Sequence, residues 1–511
     1  MSEDSDQRSV RLAKLEALRN RGLDPFRIER FPRTHTAGAI VADADALDGV
    51  AVSVAGRVTA LRAMGKASFV DLDDETGRIQ IYARRDDLGE DAYQDLRNLD
   101  IGDIAGVTGT VFRTRTGEIS VHAHEWTLLA KCLRPLPIGK EYDGARHVAL
   151  SDPETRHRRR YLDFIVHPEA RALLAKRARM VSAIRRFLDD RGYVETETPV
   201  LQTIAGGAAA RPFTTYHNAL SSHFKLRISL ELPLKRLVVG GFPRVYEIGR
   251  VFRNEGVSTR HNPEFTLLEM YEAYSDLDDM METVEEMYEA ACIAVNGSPV
   301  FAYAPRAWSA GSADAPASET VEVDVSRRPW RRLSMLDGIA QYAAVSKQDL
   351  ATLDDARATC LRLGLDAEAE TSVGGIVEKI HERFVQPHLI EPTFITDFPV
   401  ETSPLAKRRA DDPALTRRFE IYMASQELGN AFSEINDPLD QRDRFEDQMR
   451  QRAKGNEEAH PMDEDFVWAL ECGMPPTAGL GVGIDRLIMV LAGAPSIREV
   501  IAFPLVRMGH D

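Results

Sequence analysis

Hydrophobic and polar residues alternate over short runs in the first third of the chain, beyond a helix-like segment at 8–22. The alternating runs lie at 52–58, 68–72, 78–82 and 118–122. Side chains point to opposite faces along a strand, so each run predicts a half-buried β-strand. Turn residues at 73–77 separate two of the runs, and one helix-like stretch lies at 91–99. The pattern fits a five-stranded barrel of the OB type, and a β-sandwich fits the composition nearly as well.

The rest of the chain mixes helix-like and strand-like patterns irregularly, which is typical of an α+β domain. Apolar residues recur at helical spacing over 168–191, and a second helix is predicted after Asp276. A stretch rich in alanine, serine, glycine and proline predicts a surface insertion. The predicted segments are a lead-in with a helix at 1–50, a barrel domain at 51–137, a basic linker at 138–165, an α+β domain at 166–511 and the insertion at about 303–320.

Composition and charge narrow the function classes. The chain has 511 residues, of which 43% are hydrophobic and 28% charged, and its formal charge is −16. These values exclude a wholly disordered chain, a collagen and a disulfide-stapled miniprotein. A nucleic-acid partner would have to meet a local basic surface, since the overall charge is negative. The arginines at 156–160 offer such a surface, and a solvated helix face explains them equally well.

Targeting signals and cysteine spacing favour the cytoplasm. No run of 18 apolar residues predicts a membrane span, and the acidic N-terminus lacks the apolar core of a signal peptide. The four cysteines match no zinc or disulfide spacing, so we expect buried thiols in a reducing compartment. His381 and His388 also lack the spacing of a zinc site and are interpreted as ordinary residues.

The segment 244–271 contains two strand-like flanks joined by a polar loop, and it predicts a hairpin. Strand alternation places Glu247, Gly249, Val251 and Arg253 on one face of the first strand, and Phe265, Leu267, Glu269 and Tyr271 on one face of the second. A guanidinium, an aromatic ring and a carboxylate side by side indicate a bound ligand. A buried structural salt bridge is the alternative.

A second polar face is predicted at 418–434. Glu420 and Glu427 flank an apparent turn, and Asn430, Phe432 and Glu434 share one strand face. Two converging carboxylates suit Mg²⁺, a hard cation that prefers oxygen ligands and substrate phosphates. Solvated edge carboxylates are the alternative.

The glycines at 479–483 resemble a dinucleotide-binding fingerprint only superficially, because the GxGxxG spacing and a following βαβ unit are missing. We interpret them as a strand on which a ligand approaches the backbone. The following helix is predicted to be capped by Asp485. Arg486 in its first turn opposes the helix dipole, which indicates a bound anion.

Three stretches of the chain resemble the signature motifs of class II aminoacyl-tRNA synthetases: residues 192–199 resemble motif 1, 252–265 motif 2 and 481–486 motif 3. Residues 206–213, 234–241 and 430–434 are similar to bacterial lysyl-tRNA synthetases, and the resemblance covers nearly the whole chain. It implies an OB-type anticodon-binding barrel followed by a catalytic domain with an antiparallel sheet flanked by helices. The implied activity joins L-lysine to tRNA(Lys) through a lysyl-adenylate made from ATP, with Mg²⁺, in a cytoplasmic homodimer without a membrane segment.

The resemblance also implies the site residues. For ATP they are Arg253, Glu255, His261, Asn262, Phe265, Glu420, Glu427, Gly483 and Arg486, with Arg253 and Arg486 catalytic and Glu420 and Glu427 holding Mg²⁺. For lysine they are Gly207, Glu231, Arg253, Glu269, Tyr271, Asn430, Phe432 and Glu434. For the anticodon they are Arg57, Phe69, Gln80 and Glu118, although Phe69 alone also fits a barrel-core aromatic.

Amino-acid choice has a physical basis in this set. Three carboxylates, those of Glu231, Glu269 and Glu434, suit a diamino acid and disfavour aspartate, because buried like charges repel. The chain departs from the family pattern around Glu231, where Ser229-Leu230 replaces the usual Ala-Pro and Pro233 replaces an aromatic. We expect Pro233 to disfavour a regular helix there.

Two other functions fit parts of the sequence. A paralogue that lysylates a non-tRNA acceptor would typically lack the barrel. A non-enzymatic RNA-binding descendant would be expected to lose Arg253, Arg486 or the glutamate pair, and all are present.

Overall fold

The computed structural model describes residues 2–142, 145–147, 150–304, 320–453 and 459–506. They belong to two compact units, Met1–Asp152 and Pro153–Asp511. The division falls inside the predicted basic linker, and the finer domain limits stay a prediction. No helix in these ranges combines the length and the apolar character needed to cross a bilayer.

The first unit is built around a closed five-stranded barrel in the order β1-β2-β3-β5-β4, which confirms the OB-type prediction and excludes the sandwich. The strands are β1 Ala51–Met64, β2 Ala67–Asp73, β3 Arg78–Arg84, β4 Ile104–Arg113 and β5 Ile119–Ala130. Alternate residues such as Val58, Ile81 and Val121 fill the interior with no exposed surface. In β3, buried isoleucines at 79 and 81 alternate with half-buried residues, as expected of a half-buried strand.

Helices and one small hairpin complete this unit. They are α1 Ser2–Asn20, α2 Ala37–Ala42, α3 Arg85–Leu88, α4 Glu90–Arg97, β6 Lys140–Tyr142 and β7 Ala145–His147. Helix α1 begins well before the predicted start at residue 8. Helix α4 accounts for the helix-like stretch within the barrel sequence and buries Tyr93 and Leu96.

The second unit contains the remaining helices and strands. Its helices are α5 Pro153–Arg158, α6 Arg160–Val166, α7 Pro168–Asp189, α8 Glu231–Val239, α9 Leu277–Asn296, α10 Met335–Ala343, α11 Leu353–Arg362, α12 Val373–Ile380, α13 Pro438–Ala453, α14 Glu464–Glu471, α15 Ile484–Ala492 and α16 Ile497–Val500. Its strands are β8 Val194–Glu195, β9 Leu201–Gln202, β10 Thr214–His217, β11 Ser222–Leu226, β12 Arg244–Phe252, β13 Glu264–Ala273, β14 Val300–Tyr303, β15 Val321–Asp324, β16 Arg331–Ser334, β17 Thr393–Thr396, β18 Arg418–Met423, β19 Gln426–Ser433 and β20 Thr477–Gly483.

An eight-stranded sheet organises this unit in the order β16-β17-β18-β19-β20-β13-β12-β8. The six strands from β17 to β12 are antiparallel, as expected, whereas β16 and β8 pair in parallel at the two edges. Strands β9, β10 and β11 form a separate small sheet, and β14 pairs with β15.

The two faces of the sheet serve different purposes. Tyr246, Leu268 and Met270 point into a large core that includes residues of α7, α9 and α15. Their neighbours Glu247, Glu269 and Tyr271 point to the opposite face. That face packs against apolar residues of α8 and α14 and leaves a cavity beside them.

Helix α7 confirms the predicted helix at 168–191, and its apolar stripe packs inside the unit. Ile184 and Leu188 have no exposed surface within the large core. A third apolar cluster unites α10, α11 and α12. The predicted surface insertion falls almost entirely on residues 305–319, outside the described residues.

The basic segment is only partly a solvated surface. Arg159 is exposed, but Arg160 is fully buried and pairs with Asp163 and with Glu499. A hydrogen bond from His157, assisted by the nearby arginines, lowers the pKa of Glu499 to about 2. The arginines at 156–160 thus serve in part to join α5 and α6 to α16.

The expectation of buried thiols is correct for two cysteines only. Cys292 and Cys360 are buried, Cys132 is half-buried and Cys472 is exposed. All four are free, which agrees with the absence of a disulfide spacing.

Candidate active site and nucleic-acid interface

A cavity of about 390 Å³ lies on the polar face of the large sheet. With the exception of Glu420, every residue that the family resemblance implied for ATP or lysine lines it. The cavity is bounded by the β12–β13 hairpin, strands β19 and β20, and the starts of α8 and α15. Residues that are distant in sequence therefore meet in one place.

The hairpin register brings Glu247 opposite Glu269 and Val251 opposite Phe265, so the residues that alternation assigned to one face of each strand share one face of the hairpin. Glu247 forms the structural salt bridge that was the alternative interpretation of this face. Its Oε1 accepts from Nη1 of Arg227 at 2.6 Å, and its Oε2 accepts from the Thr198 hydroxyl at 2.7 Å. That interpretation holds for Glu247 and not for the cavity end of the face.

Glu269 at the cavity end has weaker partners. Its Oε1 accepts from the Leu230 backbone N–H at 3.2 Å and its Oε2 from the Tyr271 hydroxyl at 3.3 Å. Burial, together with the nearby Glu231 carboxylate, raises the pKa of Glu269 to about 8. A cationic ligand would stabilise the ionised form of this carboxylate.

Arg253 follows β12 and faces the cavity. Its Nε donates to the Ile228 carbonyl at 3.3 Å, and its guanidinium carbon lies 5.2 Å from the ring centre of Phe265. Among the residues that the structure describes, its Nη groups contact no carboxylate. The guanidinium is therefore available to an anion.

Glu231 and Glu434 are both buried and share a third residue that the sequence analysis did not single out. Nζ of Lys235 lies 2.5 Å from Oε1 of Glu231 and also pairs with Glu434. Burial raises the pKa of each carboxyl group, while the ammonium opposes that rise. Burial alone would lower the pKa of Lys235, but the two carboxylates raise it above the ordinary value.

The expectation that Pro233 would disfavour a helix is wrong. Helix α8 begins at Glu231, so Pro233 is its third residue. The first N–H groups of a helix have no intrahelical acceptor, so proline removes no hydrogen bond there. Glu231 is therefore presented from the first turn of a regular helix.

The Gly206–Gly207 loop closes over this helix start. Gly207 has φ +88°, and a Cβ there would overlap the hydroxyl of Ser229. That hydroxyl donates to the Gly206 carbonyl at 2.8 Å, while Gly207 N–H donates to Nε2 of His460 at 3.0 Å. Ser229, one of the departures from the family pattern, thus ties the loop to the pocket.

A β-bulge in the β18–β19 pair aims a second carboxylate into the cavity. Glu420 lies opposite Asn430, but Tyr422 lies opposite Glu427, with a register shift between them. The extra residue of the bulge brings Glu427 to the same face as Glu420 and Asn430, which alternation would not do. Strand alternation alone therefore could not have predicted that Glu427 shares a face with Glu420 and Asn430.

Arg418 organises the same region. Its Nη2 donates to Oε1 of Glu420 at 2.6 Å, and its Nε donates to Oδ1 of Asn430 at 3.1 Å. Oε2 of Glu420 accepts from the Tyr422 hydroxyl at 2.7 Å. Burial, and then the neighbouring Glu427, raises the pKa of Glu420 even though Arg418 opposes this. Glu420 is thus a buried carboxylate rather than the solvated edge residue of the alternative.

Arg486 connects three elements at the other end of the cavity. Its Nη1 donates to Oε2 of Glu427 at 3.1 Å, and its Nη2 lies 2.9 Å from Nε2 of His261. A guanidinium only donates, so Nδ1 of His261 carries the ring proton and donates to the Ser258 hydroxyl at 3.0 Å. Burial, followed by the charge of Arg486, lowers the pKa of His261 and favours the neutral ring.

The prediction that Asp485 caps α15 is wrong. Gly483 holds the cap position, and Asp485 is the second residue of the helix. Its carboxylate accepts from the Thr266 backbone N–H at 2.6 Å and from Nη2 of Arg177 at 2.7 Å. It therefore fixes α15 against β13 and α7, which leaves Arg486 to face the cavity.

The glycines of β20 differ in whether the surrounding residues leave room for a side chain. A Cβ at Gly479 would overlap Glu434 and the ring of Tyr271, whereas a Cβ at Gly481 would find its nearest neighbour at 3.7 Å. A Cβ at Gly483 would likewise make only an ordinary contact, with the side chain of Arg486 at 3.8 Å. The approach of neighbouring side chains requires glycine at 479, so the ligand-approach interpretation applies at most to the other two.

The outer face of the barrel carries the residues implied for the anticodon. Phe69 lies opposite Tyr82, and their ring centres are 5.1 Å apart. Gln80 lies opposite Asp71, two residues before Tyr82 on the same strand. Phe69 is half-buried and outside the core cluster, so the barrel-core alternative does not describe it. Phe112 and His122 extend the aromatic surface beyond Tyr82.

The other two implied residues are placed differently. Arg57 is half-buried and donates to the Gly102 carbonyl at 2.7 Å, so part of its guanidinium is used within the unit. Glu118 is exposed in the turn before β5. The aromatic pair and Gln80 thus form the more coherent part of the surface.

Comparison with known proteins agrees with this geometry. A model of tRNA synthetases class II (D, K and N) matches residues 152–507, and a model of the OB-fold nucleic acid binding domain matches 52–129. A lysine–tRNA ligase of Moorella thermoacetica is 50% identical over 99% of this chain and 99% of its own. Those of Carboxydothermus hydrogenoformans and Bacillus cereus are 49% and 46% identical, over 98% and 100% of this chain and 97% and 99% of their own.

The chain belongs to the lysine–tRNA ligase family.

Membership in this family confirms the resemblance drawn from the motifs, and it leaves the role of each residue to be argued from the structure. Lys235, Arg418 and His460 are among the residues of the site that sequence reasoning missed. Lys235 and Arg418 stand within quoted motifs, but their pairing with acidic partners on other elements was not visible along the chain. Burial lowers the pKa of His460 to about 4, so the ring is neutral and accepts through Nε2.

Proposed function

We propose that the chain joins L-lysine to tRNA(Lys) in two steps that consume ATP. The observation that carries this proposal is the cluster of three buried carboxylates, Glu231, Glu269 and Glu434, in the same cavity as Arg253 and Phe265. A diamino acid brings two ammonium groups to such a cluster, whereas aspartate would bring a further buried anion. The name shared by the relatives supports the same amino acid.

In the first step a carboxylate oxygen of lysine attacks the α-phosphorus of ATP. The bond to pyrophosphate breaks, and lysyl-adenylate forms. Arg253 binds the α-phosphate and stabilises the charge that builds there, since its Nη groups face the cavity. No residue has to remove a proton, because the attacking carboxylate is already ionised.

Phe265, Arg486 and their neighbours hold the nucleotide. Adenine stacks on the ring of Phe265, and Arg486 binds a phosphate from the first turn of α15. His261 and Glu255 orient the nucleotide, and Asn262 and Gly483 complete its site.

In the second step a hydroxyl of the terminal ribose of tRNA attacks the lysyl carbonyl carbon, and AMP leaves.

We infer that Glu420 and Glu427 bind Mg²⁺ together with the ATP phosphates. The bulge brings both carboxylates to one face. Burial raises the pKa of Glu420, and the negative charge of Glu427 raises it further. A bound cation would oppose this rise, because it stabilises the ionised carboxylates. Carboxylate oxygens are also the ligands that Mg²⁺ prefers. The ion would neutralise phosphate charge, while Arg418 and Tyr422 hold Glu420 in place.

The barrel is proposed to read the anticodon. Single-stranded bases stack on exposed aromatic rings of OB folds, and Phe69 with Tyr82 offers such a surface. Gln80 would contact a base edge beside the stack, with Arg57 and Glu118 at its margin. Since tRNA charging serves translation, we expect the protein in the cytoplasm.

A homodimer is proposed as the working form. Residues 194–220 expose large apolar side chains, among them Leu201 at 45%, Tyr216 at 50% and Leu220 at 60%. Exposed apolar surface on this scale favours a protein contact, and a symmetric contact between two copies is the commonest kind.

Lysine-dependent exchange of pyrophosphate into ATP tests the first step, and charging of total tRNA with labelled lysine tests the second. We expect both with lysine and neither with aspartate or asparagine. Exchange without tRNA charging would favour a non-tRNA acceptor, and the absence of exchange would overturn the proposal.

A further inference from the structure

The ammonium group of Lys235 is buried among the carboxylates of the proposed lysine pocket. The residue is 1% exposed, and its Nζ contacts both Glu231 and Glu434. The rings of Tyr271 and Phe466 each lie 5.9 Å from Nζ. The two carboxylates implied for substrate lysine therefore already hold a cation of the same chemistry.

The charges in this pocket balance only if Lys235 is counted. When all three are ionised, Glu231, Glu269 and Glu434 carry three negative charges, and Lys235 neutralises one of them. The remaining two equal the two ammonium groups of one lysine molecule, whose carboxylate faces Arg253. Without Lys235, a bound lysine would leave one carboxylate buried and unpaired, which is strongly unfavourable.

We propose that Lys235 is a built-in counter-ion that sets the charge of the amino-acid pocket and keeps Glu231 and Glu434 ionised for the substrate. This inference rests on the proposed function and deepens it. Lys235 is a positioning residue, because it acts through the two carboxylates rather than on the reacting atoms.

Other charged and titratable groups face the same pocket. Glu269 and Tyr271 stand on β13, His460 precedes α14, and Lys407 acts on Glu434 from the segment before β18. Burial lowers the pKa of His460 to about 4 and raises that of Tyr271 well above its ordinary value. Neither ring therefore changes charge near neutral pH, and the carboxyl groups remain as the ones that take up protons.

Lys235→Met keeps most of the length of the side chain and removes its charge. One carboxyl group of the pair then takes up a proton, and the two ammonium groups of a bound lysine favour its release. We expect the lysine KM of the variant to exceed that of the unchanged chain most at low pH. The ratio of the two KM values should fall as the pH rises, by at most about tenfold for each pH unit. The KM for ATP should stay unchanged. A KM raised by one constant factor at every pH would overturn the inference.

A second background gives an effect of opposite sign. In Glu231→Gln, Lys235 neutralises the remaining Glu434, and little negative charge is left for the substrate. Adding Lys235→Met in that background should lower the lysine KM, because Glu434 becomes free to pair with an ammonium group. A purely structural role for Lys235 predicts a higher KM in both backgrounds. The double variant also decides the question if Lys235→Met alone does not fold.

Arg236→Met is the matched control on the same helix. Arg236 pairs with Asp463 at 3.0 Å outside the cavity lining, so its loss should leave the lysine KM and its pH profile unchanged. If the unchanged chain shows no lysine-dependent exchange, the proposed function fails and the inference fails with it. If the unchanged chain is active and Lys235→Met raises KM equally in both backgrounds, the inference alone fails.

Discussion

Arg253 illustrates how a single side chain is prepared for an anion. Its Nε is anchored to the Ile228 carbonyl, and its guanidinium lies near the ring of Phe265. Lys235 shows the opposite situation, since its ammonium group already contacts the carboxylates of Glu231 and Glu434. Arg253 is left available to a ligand, while Lys235 compensates the charge of two carboxylates that line the same cavity.

Arg253→Ala should abolish most adenylate formation and leave the fold intact. Removing one preorganised donor from a reacting phosphate costs about 3–4 kcal/mol, or roughly a hundredfold to a thousandfold in rate. Lysine-dependent pyrophosphate exchange measures the loss, and thermal unfolding checks the fold. Arg250→Ala, an exposed arginine of the same strand, is the control and should exchange normally. Near-normal exchange in Arg253→Ala would refute the assignment.

Glu434→Gln should weaken lysine binding and spare ATP binding. The change removes a charged partner of an ammonium group, which is worth about 1.5–3 kcal/mol, or roughly tenfold to a hundredfold in lysine KM. Steady-state exchange at varied lysine and varied ATP separates the two effects. An unchanged lysine KM would show that Glu434 serves only to hold Lys235.

At the scale of secondary-structure elements, the site depends on where strands and helices begin and shift register. The bulge between β18 and β19 turns Glu427 toward the cavity, and the start of α8 presents Glu231. Asp485 fixes α15 so that Arg486 faces the cavity from its first turn. The positions of Glu427, Glu231 and Arg486 therefore depend on local features of the elements that carry them.

These features explain which parts of the site could be predicted from sequence. Alternation placed Glu247, Glu269 and Tyr271 on one face correctly, because the β12–β13 pairing has no register shift. The same rule fails for Glu427, because a bulge inserts one residue whose position no local pattern marks. The other predicted site residues that line the cavity were assigned from their resemblance to the family motifs.

Pairings across elements lay beyond sequence reasoning. Lys235 meets Glu231 four residues earlier on its helix, which helical spacing would suggest, but its contact with Glu434 comes from a distant strand end. Asp485 was misjudged for a similar reason, since its acceptor role toward Thr266 and Arg177 exists only in the folded chain.

Gly479→Ala should destabilise the protein and weaken lysine binding. Its Cβ would overlap Glu434 and Tyr271, and such overpacking costs about 1–3 kcal/mol. Gly481→Ala is the matched control, because its Cβ has 3.7 Å to its nearest neighbour and should leave the melting temperature unchanged. Equal melting temperatures for the two variants would show that β20 shifts to accept the methyl group.

At the scale of the whole molecule, we expect two copies to associate. Light scattering should give twice the 57.0 kDa of one chain at micromolar concentration. Leu201→Glu, which places a charge on the apolar surface of residues 194–220, should shift the mass toward the monomer. Leu361→Glu is the control, since Leu361 is 79% exposed on α11 and should not affect association. A monomeric unchanged chain would contradict the proposal.

The two units should also be separable by mutation. A base stacked on Phe69 would contribute about 1–3 kcal/mol, so Phe69→Ala should weaken tRNA binding roughly tenfold to a hundredfold. Adenylate formation uses only the cavity of the second unit, and lysine-dependent pyrophosphate exchange should therefore be unchanged. Charging at limiting tRNA, compared with exchange on the same preparation, measures the difference.

Val70→Ala supplies the contrast for Phe69→Ala, because Val70 is the next residue on the strand but points into the barrel with 2% exposure. Loss of buried methyl groups leaves a cavity, so Val70→Ala should lower the melting temperature of the barrel. Phe69 is half-buried beside Tyr82 and outside the core cluster, so Phe69→Ala should melt close to the unchanged chain. If Phe69→Ala instead melts early, or if exchange falls together with charging, Phe69 supports the barrel and another residue must read the anticodon.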